Sequence, residues 1–361
     1  MQTYSIPMVP GPVKVPQPIL DAYNIDYGSG DLEPEFLELY NRTETDLQTL
    51  LGTDQKVVIH TGEGMLALWA ALKSCLKPGD RVLSIATGVF GHGIADMAKS
   101  IGAVVKTYDF PYNQTICDWE NIEKTIANFG PKMITAVHCE TPSGTLNPIQ
   151  RLGEMKARHE VPLLYVDAVA SVGGAPVLTD EWHIDLALGG SQKCLSVPPA
   201  LAFLSVSERA WEIVNEVNYV GYDALKPFQT AQQDFYFPYT PYWHGLAALQ
   251  AGVRLLLDEG LENSFARHEK VAAYCRQRIE AMGLTLFVEK GAIPSPTVTA
   301  VNLPGNMTWE QLDAALRQRG MVVGGSYGPL HGKVFRLGHM GSQADMHLMD
   351  QALDILQQVI Q

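Results

Sequence analysis

Two side chains in this sequence can do carbon–nitrogen chemistry if the fold brings them together. The first is Lys193, which follows the run Ile184-Asp185-Leu186-Ala187-Leu188-Gly189-Gly190-Ser191-Gln192. A short apolar run between breakers reads as a buried strand. The two glycines give a tight turn and room for a bulky neighbour. An ammonium beside such a run costs desolvation unless it is paired or used. The same desolvation lowers its pKa and makes the amine a competent nucleophile toward a carbonyl. On this stretch alone, a solvated lysine just past a strand end is an equally good reading. The second side chain is Asp167, at the end of Val161-Pro162-Leu163-Leu164-Tyr165-Val166. In open α/β sheets, ligands sit outside the carboxyl ends of the strands. An acid there, and a lysine one strand later, can face one crevice. A pyridoxal group needs that pair: an amine to form a Schiff base with its aldehyde, and an acid beside its pyridine nitrogen. The plain alternative for Asp167 is a turn or helix-capping residue.

The rest of the chain must supply the sheet. Strands are predicted at 57–60, 81–85, 103–108, 133–138, 163–166, 184–188 and 201–206, with helices at 32–51, 65–76, 94–102, 119–129 and 148–158 between them. Strands alternating with helices imply a mostly parallel seven-stranded sheet flanked by helices, an α/β fold. Residues 219–243 break the rhythm with aromatics, Gln and Pro; a surface loop this long is uncommon without a function. A long helical region with a break near Gly260 follows at 246–281. The pattern then changes to a smaller α+β unit: strands at 297–301 and 333–337, a strand edge near 322–326, and helices at 308–319 and 345–360. The expected organisation is an N-terminal arm at 1–31, a large domain at 32–258 and a small C-terminal domain at 259–361.

Composition bounds the partners. The chain has 361 residues, 46% hydrophobic and 18% charged, a globular profile long enough for two domains. A formal net charge of -13 disfavours nucleic acid and anionic membrane. No apolar run approaches a membrane span, and no basic-then-apolar leader is visible, so a cytoplasmic location is expected. The five cysteines (75, 117, 139, 194 and 275) lack metal-ligand spacing, and their odd number suits buried free thiols in a reducing compartment.

Several further stretches carry a family likeness. They are Pro10-Gly11-Pro12, Gly62-Glu63-Gly64, the run from His138 to Gly144, Val166-Asp167-Ala168-Val169-Ala170-Ser171, Gly190-Ser191-Gln192-Lys193, Ser295-Pro296-Thr297 and the run from Gly332 to Gly338. In this order, over nearly the whole chain, the sequence resembles a class V, fold-type I aminotransferase of the alanine–glyoxylate and serine–pyruvate branch. The likeness implies a pyridoxal 5'-phosphate enzyme, a homodimer with active sites shared between subunits. It would move an amino group from an alanine- or serine-type donor to a 2-oxo acid such as pyruvate or glyoxylate.

Carried over residue by residue, the resemblance makes Lys193 the Schiff-base and proton-moving amine and Asp167 the partner of the pyridine nitrogen. Phe90 would stack on the ring, where relatives usually have Trp or Tyr, and Val169 would support its other face. Thr141 would place a hydroxyl near the ring, and Gly64, Met65 and Gln192 belong to the phosphate side. Arg336 would clamp the substrate carboxylate in a bidentate fork, with Gly11 and Tyr327 beside it. His138 is ambiguous: it can as easily be a hydrogen-bonded structural histidine as a site residue.

The phosphate cup departs from the family. Relatives often have serine where this chain has Glu63, and a partner-subunit tyrosine where it has Phe237. Thr240 keeps a second partner-subunit phosphate contact. A carboxylate beside a phosphate is repulsive. Glu63 is similar instead to the pyridoxamine–pyruvate transaminase branch, which takes unphosphorylated pyridoxal and pyridoxamine as substrates. There the acid would accept a hydrogen bond from the free 5'-hydroxymethyl group. That branch has an arginine at the position of Tyr327 and an asparagine at that of Gln192. Two other uses of the scaffold are open. Cysteine desulfuration would use a cysteine, but Cys194 reads as a small buried thiol. A non-catalytic pyridoxal sensor would carry a DNA-binding segment, and none is present.

Overall fold

The computed structural model describes residues 4–361, so the first three residues of the expected arm lie outside the described residues. The main sheet is built from strands too apolar to face water. These are β5 (Met133–Val137), β8 (Leu163–Asp167), β9 (Leu186–Gly190) and β10 (Leu201–Val206), each buried along its whole length. Such runs require cover on both faces. The other members are β2 (Lys56–Thr61), β3 (Arg81–Ala86) and β4 (Val104–Asp109). The order is β2-β10-β9-β8-β5-β3-β4, seven strands in all. Pairing is parallel from β4 through β9, and β10 runs antiparallel to both its neighbours. Cover comes from α2 (Pro34–Leu51), α3 (Gly64–Cys75), α4 (Val89–Ser100), α5 (Trp119–Phe129), α6 (Gln150–Arg158) and α7 (Glu208–Val217).

Register brings the strand ends level. Val137 pairs with Asp167, and Asp167 with Leu188. Ala202 pairs with Gly190, and Leu201 with Thr61. The carboxyl ends of β2, β3, β5, β8 and β9 therefore meet along one edge, and the loops leaving them share one crevice.

Two helices, α9 (Trp243–Glu259) and α10 (Leu261–Ala281), lead to the second unit, with the expected break at Gly260. Its sheet is β1 (Ile6–Met8), β12 (Met321–Gly325), β13 (Val334–Gly338) and β11 (Val298–Asn302), in that order. Helices α10, α11 (Trp309–Gln318) and α12 (Met346–Ile360) close its core around Leu312, Leu316, Leu353 and Leu356.

The segment expected as an aperiodic arm is more regular than that. Ile6 and Met8 are buried in the small unit's core, and β1 pairs in parallel with β12. The chain's start thus completes a sheet made by its end. A helix, α1 (Gln17–Tyr23), then packs on α9. A three-residue strand is too short for a period to show. The 219–243 stretch holds a 3-10 turn at Lys226–Gln229 and one helical turn, α8 (Ala231–Asp234), anchored by buried Phe228 and Phe237. A small hairpin, β6 (Cys139–Glu140) with β7 (Thr145–Leu146), was not expected from sequence. Among the described residues no helix is long and apolar enough to cross a membrane. Cys117 is exposed rather than buried; the other four thiols are buried and free.

Candidate active site

Five loops at the common strand edge line one cavity. It is walled by Glu63, Gly64, Met65 and Leu68 after β2, and by Phe90 after β3. Cys139 and Thr141 follow β5, Asp167, Val169 and Ala170 follow β8, and Gln192 and Lys193 follow β9. The sequence reading placed nine of these side chains or turns together; Cys139, Leu68 and Ala170 are additions. Cys139 lies two residues past a buried strand, so the strand-end rule that flagged Asp167 also reaches it.

Lys193 sits deep in this cavity. Its Nζ donates to the carbonyl of Pro10 at 2.5 Å. Burial, and then the charge of Arg336, lower its pKa, which favours the neutral, nucleophilic amine. Gly11 has φ of 86°, and a Cβ there would lie 2.6 Å from Cδ and 2.8 Å from Nζ of Lys193. Only glycine lets the segment pass so close over the lysine.

Asp167 accepts the Val169 N–H at 2.9 Å through Oδ1. Among the described residues, nothing bonds its Oδ2. Burial pushes the carboxyl up to about 6, against the Val169 N–H and Lys193, which lower it; Glu63 adds to the rise. A protonated pyridine nitrogen at Oδ2 would restore the charged form. Phe90 and Val169 are the apolar walls of the same space, so the cavity fits a flat aromatic ring carrying an aldehyde toward Lys193.

The other end of the cavity is differently equipped. Glu63 caps α3, its Oε1 accepting the Met65 N–H at 3.0 Å. Its Oε2 accepts from Gln192 Nε2 at 3.4 Å. The Gln192 Oε1 is buried, with no hydrogen-bond partner among the described residues. A helix N-terminus ordinarily offers an anion its free N–H groups, and here a carboxylate of the chain already takes one. The ring fits the residues present; at this end a phosphate dianion would meet the Glu63 carboxylate, which repels it.

Arg336 lies on β13, nearly fully buried, outside the ring cavity but close enough to act on Lys193. Its Nε donates to Gly325 O at 2.6 Å, and the Tyr327 ring stands 4.7 Å from Cζ. Gly324 lacks the Cβ that would sit 2.7 Å from Pro10 Cδ and 3.3 Å from Arg336 Nη2. The guanidinium and the Pro10-Gly11 turn therefore face the same spot.

Two residues expected from the partner-subunit side of the phosphate cup do not line their own subunit's cavity. Phe237 is packed in its own subunit's core, 5.0 Å from Tyr40 and 5.4 Å from Phe36. A phenyl ring has no polar tip to hold it at a surface, and the aromatic cluster takes it in. Thr240 is exposed and does not line the cavity. His138 is a structural residue: its Nδ1 meets Ser171 Oγ at 2.9 Å, and burial lowers its pKa to about 4.

Gln343 was missed. It is fully buried, donating to Val9 O at 2.8 Å and Gly338 O at 2.7 Å and accepting the Lys14 N–H at 3.1 Å. It ties the segment over Lys193 to the end of the Arg336 strand. No period or motif marks a single polar residue in a turn.

The family pattern described as aminotransferase class-V matches residues 11–331. The (S)-ureidoglycine–glyoxylate transaminase of Bacillus subtilis is 34% identical over 358 residues, covering 92% of this chain and 85% of that protein. The pyridoxamine–pyruvate transaminase of Mesorhizobium japonicum is 35% identical over 320 residues, 87% of this chain and 81% of that one. The crystal structure of an alanine–glyoxylate aminotransferase from Nostoc sp. superposes with a TM-score of 0.95 at 30% identity, covering 100% of this chain and 96% of that one.

Proposed function

Because this chain belongs to the class-V aminotransferases, pyridoxal-phosphate-dependent enzymes of fold type I, we propose that it moves an amino group from a small donor of the alanine or serine type to a 2-oxo acid, pyruvate or glyoxylate. The observation that carries this is the convergence of Asp167 and Arg336 on Lys193, over which the Pro10-Gly11 turn passes. Glyoxylate or pyruvate is named for each of the three relatives above.

The bound pyridoxal group supplies an aldehyde and an electron-withdrawing ring. The chain's own residues do the rest. Lys193, its pKa lowered by burial, provides the attacking nitrogen and afterwards a base that moves a proton on the substrate's α-carbon. Asp167 holds a proton on the ring nitrogen. Arg336 fixes the substrate carboxylate, and the glycine at 11 gives the substrate backbone contact without a side chain in the way. Amino transfer between L-alanine and glyoxylate, absent in Lys193→Ala, is the expected result. Sulfide release from cysteine without amino transfer would favour desulfuration instead.

A second reading is favoured by the acceptors at the far end of the cavity. Phosphate is itself an acceptor and is repelled by Glu63, whereas a hydroxymethyl group can donate to Glu63 or to Gln192 Oε1. On this reading unphosphorylated pyridoxamine is the amino donor and pyruvate the acceptor. Titration of pyridoxal against pyridoxal 5'-phosphate separates the two. Preference for pyridoxal, reversed in Glu63→Ser, supports vitamer transamination. Tight phosphate-form binding unchanged by the substitution removes that role from Glu63.

The assembly we propose is a homodimer with shared sites, through which Thr240 of one subunit approaches the other's cofactor. Val220, Tyr222 and Tyr236 are 87%, 63% and 75% exposed, a surface that calls for cover. A fully active monomer in sedimentation at micromolar concentration contradicts this.

A further inference from the structure

Glu140 is a charged residue in the wall of the site with no part in the reaction as proposed. It is wholly buried, between Cys139 and Thr141, both of which line the cavity. Its carboxylate turns to the start of α4. Oε1 accepts the Gly91 N–H at 2.7 Å and Oε2 the Phe90 N–H at 3.2 Å. Helix α4 has no side-chain cap of its own, because its N-cap is Gly88. A Cβ at Gly88 would lie 2.6 Å from Glu140 Cδ and 2.7 Å from Oε2. The glycine leaves the space that the carboxylate fills. The main chain of Glu140 acts too: its carbonyl accepts the Gly144 N–H at 2.8 Å, closing the turn that presents Thr141.

One residue thus ties two loops of the cavity to each other. An ionised carboxylate persists in such a place only where its oxygens are hydrogen-bonded. A local cap at position 88 would satisfy the helix at less cost, but it would not join the helix to the hairpin. Burial and the nearby Asp167 raise the Glu140 carboxyl to about 7, against the two N–H groups that lower it.

We propose that Glu140 is a positioning residue: by capping α4 from the neighbouring hairpin, it sets the Phe90 ring relative to Asp167 and Lys193 so that a pyridine ring fits between the walls. This rests on the pyridoxal site proposed above. The test is a double-mutant cycle read as pyridoxal affinity by spectroscopic titration, independent of turnover. Glu140→Gln puts an amide donor where a backbone N–H needs an acceptor. It is expected to weaken pyridoxal binding about ten-fold, the scale of one lost hydrogen bond. In a Phe90→Ala background the same substitution should change affinity less than about two-fold, because the ring it positions is gone. Equal losses in both backgrounds, or unchanged affinity in the single variant, overturn the proposal. If Glu140→Gln does not fold, Glu140→Asp, which keeps the charge but shortens its reach, is carried through the same cycle. Wild-type protein that binds neither pyridoxal nor its phosphate takes down the site itself. Binding by wild type with an additive cycle takes down only this inference.

Discussion

Replacing Asp167 with asparagine should make the ligand-free protein more stable and less able to hold its ligand. The carboxyl is buried, and its pKa rises from 3.8 to about 6. A folded-state value above the unfolded one means that the folded chain binds the proton more tightly. Stability from this group is therefore undiminished below about pH 4, falls between about pH 4 and pH 6, and stays low above. At about 1.4 kcal/mol per pH unit, the gap amounts to about 3 kcal/mol. The asparagine side chain would keep a carbonyl oxygen for the Val169 N–H and bury no charge. It would also relieve Glu140, whose pKa Asp167 helps to raise. Thermal midpoints of wild type and Asp167→Asn, taken ligand-free at pH 8 and pH 4, read this directly. The variant should melt several degrees higher at pH 8 and level with wild type at pH 4. Pyridoxal affinity should fall, since the ring nitrogen loses its anionic partner. An equal difference in midpoint at both pH values would refute the assignment of Asp167 as a strained buried carboxylate.

Arg336→Gln should raise KM for pyruvate or glyoxylate about 100-fold, the loss of charge-assisted hydrogen bonds to the carboxylate. Pyridoxal affinity should hold within about two-fold, because Arg336 lies outside the ring cavity; steady-state kinetics beside a binding titration separate the two. Gln343→Ala should raise the same KM roughly ten-fold by freeing the segment over Lys193, again sparing pyridoxal binding. Equal loss of both would mean that Gln343 serves only general stability. The Lys193 amine, held below its ordinary pKa by burial and Arg336, should form its Schiff base faster at neutral pH than an exposed lysine does. In Arg336→Gln the pH dependence of that rate should move upward.

The sheet was legible because its central strands are continuous apolar runs between Gly- and Pro-rich breakers. Asp167 and Lys193 were legible because they stand at the ends of two of those runs. Even the Gly260 break shows in the sequence. What stayed hidden depends on long-range pairing. Ile6-Pro7-Met8 is too short to announce a strand, and its partner Met321-Val322-Val323 lies at the other end of the chain. Gln343 and Glu140 are single polar residues whose role is set by backbone groups far off in sequence, which no local pattern encodes. Phe237 is a different case: family likeness set it where relatives carry a partner-subunit tyrosine, and within its own subunit the ring packs against Phe36 and Tyr40. The likeness located Glu63 in the cup; its capping bond to Met65 could only be read from coordinates.

The central claim is that one amine, Lys193, bonds the carbonyl of a pyridoxal ring. Borohydride reduction of the protein mixed with pyridoxal, or with its phosphate, followed by peptide mass mapping, tests it most directly. A reduced adduct on Lys193, with its absorption band lost in Lys193→Ala, is the result expected. An adduct spread over surface lysines, or a band that survives the substitution, would contradict the account.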